Sequence, residues 1–253
     1  MKFAIPTYKR YDVLINKTLK TLECVYPNLI YIFVYGDDEY EKYKEAIGDK
    51  GYNLIKTQYE DLNNRLNYMF FEYFKEGEKV ILIEDDIRDI IVFKNNMKMT
   101  LKNNLMETFE EYFKLCEDNK LFIWGISPTD STLYMKEEPS FDLKFIIGVL
   151  YGIIIRHDFD LKTSITYKQD MERSILYHKK DKGMVRINNV FVKTTYRALG
   201  GLGNDKKDGR LMKEISAVNE MLEKYPDYVY QDKNKEREIK LFRNPKLLPS
   251  IKN

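Results

Sequence analysis

The stretch Lys79-Val-Ile-Leu-Ile-Glu-Asp-Asp-Ile87 sets four consecutive aliphatic residues, Val80 to Ile83, directly against three acids, Glu84, Asp85 and Asp86. Such an apolar run reads as a strand buried on both faces, with the acids where it leaves the sheet. Adjacent carboxylates repel one another and are costly to bury, so they require a cation, a basic partner or open water. A divalent metal is the most economical answer, because ligands of open α/β sheets lie outside the carboxyl ends of the strands. A solvated acidic turn is the plain alternative, and the triplet alone does not choose between them.

Upstream, Phe3-Ala-Ile-Pro-Thr7 begins as a short strand whose ladder Pro6 stops, leaving Thr7 to Arg10 as a loop at its carboxyl end. Val13, Leu14, Thr18, Leu19 and Leu22 then recur at helical spacing up to Pro27. Leu29 to Tyr35 is a β-prone strand that again ends in acids, at Gly36-Asp-Asp-Glu39, ahead of a helix reaching about Ala46. Tyr52 to Thr57 reads as a third strand. Leu62 to Lys75 reads as an amphipathic helix with Leu66, Met69, Phe70 and Tyr73 on one face, closed by Gly77. Strand and helix patterns alternating in this way predict βαβ units and a mainly parallel sheet flanked by helices.

Downstream, a helix is expected over Leu101 to Cys116 and a strand over Leu121 to Ile126. Phe145 to Ile155 is expected to form two strands, or one bent strand, with Gly148 or Gly152 permitting close backbone approach. Tyr167 to His178 reads as a helix with Asp170 and Glu172 in its first turn, where they favour the dipole. Val185 to Thr195 alternates as one strand, Ala198 to Asn204 reads as a turn, and a charged helix is expected around Leu211 to Tyr225. One α/β domain over residues 1–225 and a basic tail over 226–253 follow from this order.

The 253 residues suffice for one substantial core. Lys and Arg number 42 against 40 acids, so the net charge of +2 supplies no bulk reason to bind nucleic acid, although a local basic face is compatible with it. Cys24 and Cys116 lack metal or redox spacing and are read as buried apolar residues of a reducing compartment. No stretch approaches membrane-spanning length and Met1-Lys-Phe-Ala-Ile-Pro6 has no signal core, so a soluble cytoplasmic protein is expected. His157 and His178 have no partner spacing and are read as structural.

Four landmarks in order, Ala4-Ile-Pro-Thr-Tyr-Lys-Arg10, Val34-Tyr-Gly-Asp-Asp38, Asn63-Asn-Arg-Leu-Asn67 and Leu82-Ile-Glu-Asp-Asp86, resemble those of GT-A-fold, Rossmann-like glycosyltransferases. The resemblance covers roughly the first ninety residues. It implies a nucleotide-binding part over about 1–95 and an acceptor part over about 96–225. By the resemblance, Pro6, Thr7, Arg10, Asp37, Arg65 and Asp85 would contact the donor nucleotide, with Asn67 beside Arg65. Asp86, then Glu84, would hold Mg²⁺ or Mn²⁺, although Glu-Asp-Asp departs from Asp-x-Asp and a late His ligand has no counterpart in the final third. Such a cation would bridge both phosphates of the leaving group as the glycosidic bond breaks.

On the acceptor side, Gly148-Val-Leu-Tyr-Gly152 followed by Gln169-Asp170 is similar in order to the region that supplies the base of inverting members, which makes Asp170 the candidate base and Glu172 its understudy. Gly200-Gly-Leu-Gly-Asn-Asp-Lys-Lys-Asp-Gly-Arg210 reads as a basic-flanked loop in which Lys206, Lys207 and Arg210 would screen a diphosphate. The whole combination, including the late Gly200-Gly-Leu-Gly203, also resembles the subset of these enzymes that glycosylate hydroxymethylated bases in DNA, as in base J synthesis and in phage or viral DNA hypermodification. The expectation is therefore a metal-dependent, inverting transfer of a hexose from a UDP-sugar such as UDP-glucose to a hydroxyl, with a hydroxymethylated pyrimidine as leading acceptor. A protein or glycan acceptor is the alternative within the class. A metal-dependent nuclease or nucleotidyltransferase and a non-catalytic binding module are the alternatives outside it.

Overall fold

The computed structural model describes residues 1–194, 207–231 and 235–242, and the expected turn at 198–204, with Lys206, lies outside them. Among these residues a seven-stranded sheet runs β3 (Asn53–Thr57), β2 (Ile30–Tyr35), β1 (Lys2–Pro6), β4 (Lys79–Ile83), β8 (Leu150–Ile154), β7 (Ile123–Ile126), β9 (Val185–Ile187). Neighbours are parallel except where β8 pairs antiparallel with β4 and with β7. This is the mixed, mainly parallel α/β sheet that the strand–helix alternation predicts. β4 lies between β1 and β8, which is why Val80 to Ile83 are all buried.

The chain runs from β1 outward to β2 and β3, then returns across β1 to β4. The gap between the carboxyl ends of β1 and β4 is thus a topological switch point, where connections diverge and leave a crevice. α1 (Tyr11–Asn16) and α2 (Thr18–Thr21) replace the single helix expected after β1. The break brings the buried Thr18 onto the acid loop: its hydroxyl donates to the Glu84 carbonyl at 2.7 Å and accepts from the Ile87 amide at 2.9 Å. α3 (Gly36–Ile47) carries Asp37, Asp38 and Glu39 in its first turn and buries Glu39, Tyr43 and Ile47 every fourth residue. α4 (Leu62–Tyr68) is capped by Asp61 and passes into a wider π-type turn over Met69–Tyr73.

α5 (Leu105–Asp118) aims Phe109, Tyr112 and Phe113 at Trp124 of β7, with ring centroids 5.2, 5.2 and 5.7 Å from the indole. The indole lies over Gly152, its register partner in β8, where any β-carbon would collide with the ring. Gly152 is the close approach expected within Phe145 to Ile155, and of the two strands or one bent strand expected there the run holds a single strand, β8, confined to its second half. Its first half is irregular because Ile146 packs onto Gly125 and the Ile146 amide donates to the Ser174 hydroxyl.

Three further expectations are corrected. β5 (Asp89–Lys94) and β6 (Met97–Thr100) form an unforeseen hairpin joined by β10 (Val190–Lys193) in a second sheet. Val185 to Thr195 is therefore two strands, β9 and β10, broken at Asn188–Asn189, where the chain leaves one sheet for the other. Cys24 is exposed, in the turn between α2 and Pro27, whereas Cys116 is buried as expected. Among the described residues no helix is long and apolar enough to cross a membrane.

α6 (Gln169–Asp181) and α7 (Lys207–Lys224) pack with β11 (Val229–Gln231) and β12 (Ile239–Leu241), a hairpin within the segment read as a tail. Glu172, fully buried, joins these pieces. It accepts from the Ser164 and Ile165 amides, the Ser164 and Tyr225 hydroxyls and Lys224, at 2.7 to 3.1 Å. Burial pushes its carboxyl up, but Lys224, the two amides and Tyr225 outweigh this and hold it below its ordinary value.

Two stability predictions follow from these contacts. Gly152→Ala should cost about 1–3 kcal/mol in urea denaturation by overpacking Trp124. Glu172→Ala should cost about 3 kcal/mol at neutral pH. A carboxyl depressed on folding gives stability that is present above its unfolded value and lost as pH falls below it, so the Glu172→Ala penalty should shrink below about pH 4.3. A penalty independent of pH would show that the charge of Glu172 contributes nothing.

Candidate functional site

The switch-point crevice brings the end of β1 against the end of β4. Thr7, 2% exposed, donates its hydroxyl to Asp85 Oδ2 at 2.6 Å, and its oxygen lies 2.7 Å from the Tyr43 hydroxyl. A carboxylate only accepts, so the Thr7 proton goes to Asp85 and the Tyr43 proton goes to Thr7. Tyr43 in turn accepts the Arg10 amide at 2.9 Å, closing a relay from Arg10 through Tyr43 and Thr7 to Asp85. Burial raises Tyr43 to about 12, so it remains a neutral hydroxyl. The loop makes this turn through Lys9, whose φ of 54° is a conformation uncommon for a side chain with a β-carbon, and the buried Glu39 accepts the Lys9 amide at 3.0 Å.

Arg10 Nη2 lies 3.0 Å from Asp85 Oδ1 and 2.9 Å from Asp86 Oδ2, an ion pair to both acids. The fourth oxygen, Asp86 Oδ1, accepts the Thr194 hydroxyl at 2.5 Å from the end of β10. Asp85 and Asp86 are each 5% exposed. Burial raises Asp85 to about 6, against the pull of Arg10 and Thr7, with Asp86 adding to the rise. Glu84 stands apart: burial, then the like charges of Asp86 and Asp85, push its carboxyl up to about 8, with Arg10 opposing.

Across the sheet, the Glu84 amide donates to the Val149 carbonyl at 3.0 Å, and Gly148 lies against Asp170, where an added β-carbon would sit 3.4 Å from the Asp170 β-carbon. Asp170 is the second residue of α6. Burial raises its pKa, against the Met171 amide, Arg173, Lys168 and the Gly148 amide. A carboxylate made more basic than usual at the rim of a crevice is suited to accepting a proton.

The structure thus brings together Thr7, Arg10, Glu84, Asp85, Asp86 and Asp170, with Pro6 the last residue of β1. Asp37 opens α3 at the carboxyl end of β2, exposed and paired with Lys56 at 2.5 Å, apart from the relay. Arg65, 2% exposed, spends its guanidinium on the carbonyls of Thr7, Tyr59 and Glu60 at 2.7, 3.1 and 2.8 Å. It braces the Thr7 loop from behind. Asn67 is bonded to Thr163 in the same supporting manner. Glu172 is no understudy to Asp170, because its oxygens are filled by five donors and no part of it reaches solvent. Tyr43, Thr194 and Thr18 were not anticipated. Tyr43 occupies a core position of α3 by period, but nothing local shows that its hydroxyl meets the β1 loop.

For a resident divalent ion, the carboxylate oxygens have the hard character that Mg²⁺ or Mn²⁺ prefers. The charge they would offer it is already taken up: all four oxygens of Asp85 and Asp86 face Thr7, Arg10 or Thr194, and the Arg10 guanidinium within 3.0 Å of both acids opposes a second cation. Among the described residues no three His, Cys, Asp or Glu side chains converge as a ligand set. As arranged, the acid pair does not fit the metal expected from the resemblance.

A separate cleft of about 340 Å³ lies behind the acid loop, lined by Lys17, Lys20, Arg88 and Lys102 together with Asp89 and Thr100.

No family model matches the chain, and no curated protein matches its sequence. Its structure is similar to that of S. aureus TarS 1–349, with a TM-score of 0.52 and 12% identity over 88% of this chain and 66% of that one. For TarS in complex with UDP-GlcNAc the values are 0.54, 12%, 88% and 67%. The mannosyltransferase PcManGT of Pyrobaculum calidifontis, in complex with GDP-Man and Mn²⁺, is similar at 0.48, with 13% identity over 93% and 66%. The chain spans about two thirds of the length of the TarS structure. What the likeness to TarS establishes is the architecture: the chain has the mixed, mostly parallel α/β fold of the GT-A glycosyltransferases.

Proposed function

We propose that the chain is a glycosyltransferase that moves a hexose from a nucleotide sugar, read as UDP-linked, to a hydroxyl acceptor. The observation that carries this reading is the lock between Thr7 and Arg10 at the end of β1 and Asp85 and Asp86 at the end of β4, with Asp170 on the adjoining wall. A switch-point crevice of this kind is where open α/β sheets take nucleotides. TarS, of similar fold, is the protein found with UDP-GlcNAc.

In this reading the acceptor hydroxyl enters beside Asp170. Its proton passes to the Asp170 carboxylate while its oxygen bonds to the anomeric carbon. The bond to the diphosphate oxygen breaks on the opposite face, and the nucleoside diphosphate leaves with the electron pair, inverting the centre. The raised basicity of Asp170 favours this transfer. Pro6, Thr7 and Asp37 would border the nucleotide, and a cytoplasmic setting belongs to the same reading.

For the acceptor, a hydroxymethylated pyrimidine in DNA rests on the sequence resemblance. The cleft lined by Lys17, Lys20, Arg88 and Lys102 supports it, since it shares the Asp86–Asp89 loop with the site and would attract backbone phosphates.

The test is nucleotide release from a panel of nucleotide sugars, with and without duplex DNA carrying hydroxymethylcytosine or hydroxymethyluracil. Release from one donor is expected, raised by modified DNA and accompanied by a hexose mass on the base. Release indifferent to DNA would move the acceptor to protein or glycan, and none from any donor would sink the glycosyltransferase reading. Asp170→Asn should lower turnover about 10²–10⁴-fold with donor affinity unchanged, and unchanged turnover would remove Asp170 as base. Reversing charge at Lys20 and Arg88 together should abolish stimulation by DNA, and stimulation that persists would detach the cleft from the acceptor.

A further inference from the structure

We propose that Arg10, rather than a divalent ion, is the resident cation of the acid pair and the positive charge that meets the donor's diphosphate. The inference rests on the nucleotide-sugar reading for its ligand. Two adjacent carboxylates, each 5% exposed, cannot both stay ionised without a cation among them. Arg10 supplies it, with one nitrogen 3.0 Å from Asp85 and 2.9 Å from Asp86. Thr7 and Thr194 take the two remaining oxygens. A metal ion at this pair would meet the guanidinium charge within 3.0 Å of both acids, so the two cations compete for the same carboxylates.

Arg10 is also held for the task from its own backbone. Its amide is tied to Tyr43, and Lys9 before it is turned by Glu39. Its Nε and Nη2 are buried without a hydrogen-bond partner among the described residues, so the contact to the acids is one of charge. The side chain still keeps 14% of its surface exposed at the crevice. A guanidinium cannot lose its proton in a protein and presents a planar fork that suits phosphate oxygens. Held between the acids and a diphosphate, it balances the charge of the leaving group without an exchangeable ion.

Calorimetric titration of the wild type with UDP and with GDP, in EDTA and then with Mn²⁺, separates the cases. The expected result is binding of one nucleotide in EDTA that Mn²⁺ tightens less than about twofold, well under one charge-assisted hydrogen bond. Arg10→Ala should weaken that binding in EDTA about tenfold or more. Arg10→Lys, which keeps the charge and tests the fork, should fall between the two. In a second readout, Mn²⁺ paramagnetic resonance without nucleotide should show no tight site in the wild type and a new one in Arg10→Ala, where the acids are released. Wild-type binding that requires Mn²⁺, or Arg10→Ala binding nucleotide in EDTA as the wild type does, overturns the inference and leaves the glycosyltransferase reading standing. So does a wild-type Mn²⁺ site that Arg10→Ala weakens. Absence of nucleotide binding under both conditions overturns both.

Discussion

Two carboxylates side by side at the end of a buried strand must be neutralised, and much of the structure around β4 answers that demand. Asp85 and Asp86 follow β4 because β4 is central, and they are buried because β1 and β10 close over them. The positive charge comes from the loop after β1. That loop needs its own supports, with Tyr43 and Glu39 from α3 on one side and Arg65 from α4 on the other. Electrostatic need at one point thus fixes side chains on four elements. A buried ion pair of this kind is weak evidence of added stability, since desolvation offsets much of the Coulomb gain. Its value lies in position: the acids and Arg10 have few other places to be.

The supporting residues and those proposed to meet the substrates are chemically alike, and only their partners tell them apart. Asp170 and Glu172 are two residues apart on one helix, yet burial raises one carboxyl while five donors depress the other. Arg10 and Arg65 make the same contrast among cations. Arg65 spends its donors on main-chain carbonyls, whereas Arg10 holds an ion pair beside open space.

These contrasts mark how far the sequence could be read. β4 was legible because burial on both faces leaves an unbroken aliphatic run, and the Pro6-Thr7 edge was legible because proline ends a ladder. The hairpin β5–β6 was not: Met97-Lys-Met-Thr100 alternates over four residues only, β6 is exposed throughout so no core pattern reinforces it, and its turn rests on Asn95 and Asn96, both at positive φ. Val185-Arg-Ile187 alternates, and the paired polar Asn188–Asn189 that breaks the pattern before the apolar Val190-Phe-Val192 is the one local sign that the chain changes sheets there. In the Phe145 run the strand and its glycine were legible but the irregular first half was not, because apolar composition records burial and not strand geometry. Within the site, residue types were legible and partners were not: nothing near Glu172 in the chain announces Lys224 and Tyr225.

The transfer of the chain at Asn188–Asn189 has a consequence for how the molecule comes to exist. It is what carries Thr194 to Asp86, a contact between residues 108 positions apart. Thr7 and Asp85, 78 apart, make the next closure of the same pocket. Contacts of such separation bear a large loop-closure entropy and form only after local structure has rewarded the chain for its ordering. The acid pair therefore acquires its full set of partners only once β1, β4 and β10 have all come together. Until then it sits in water, where two like charges cost little.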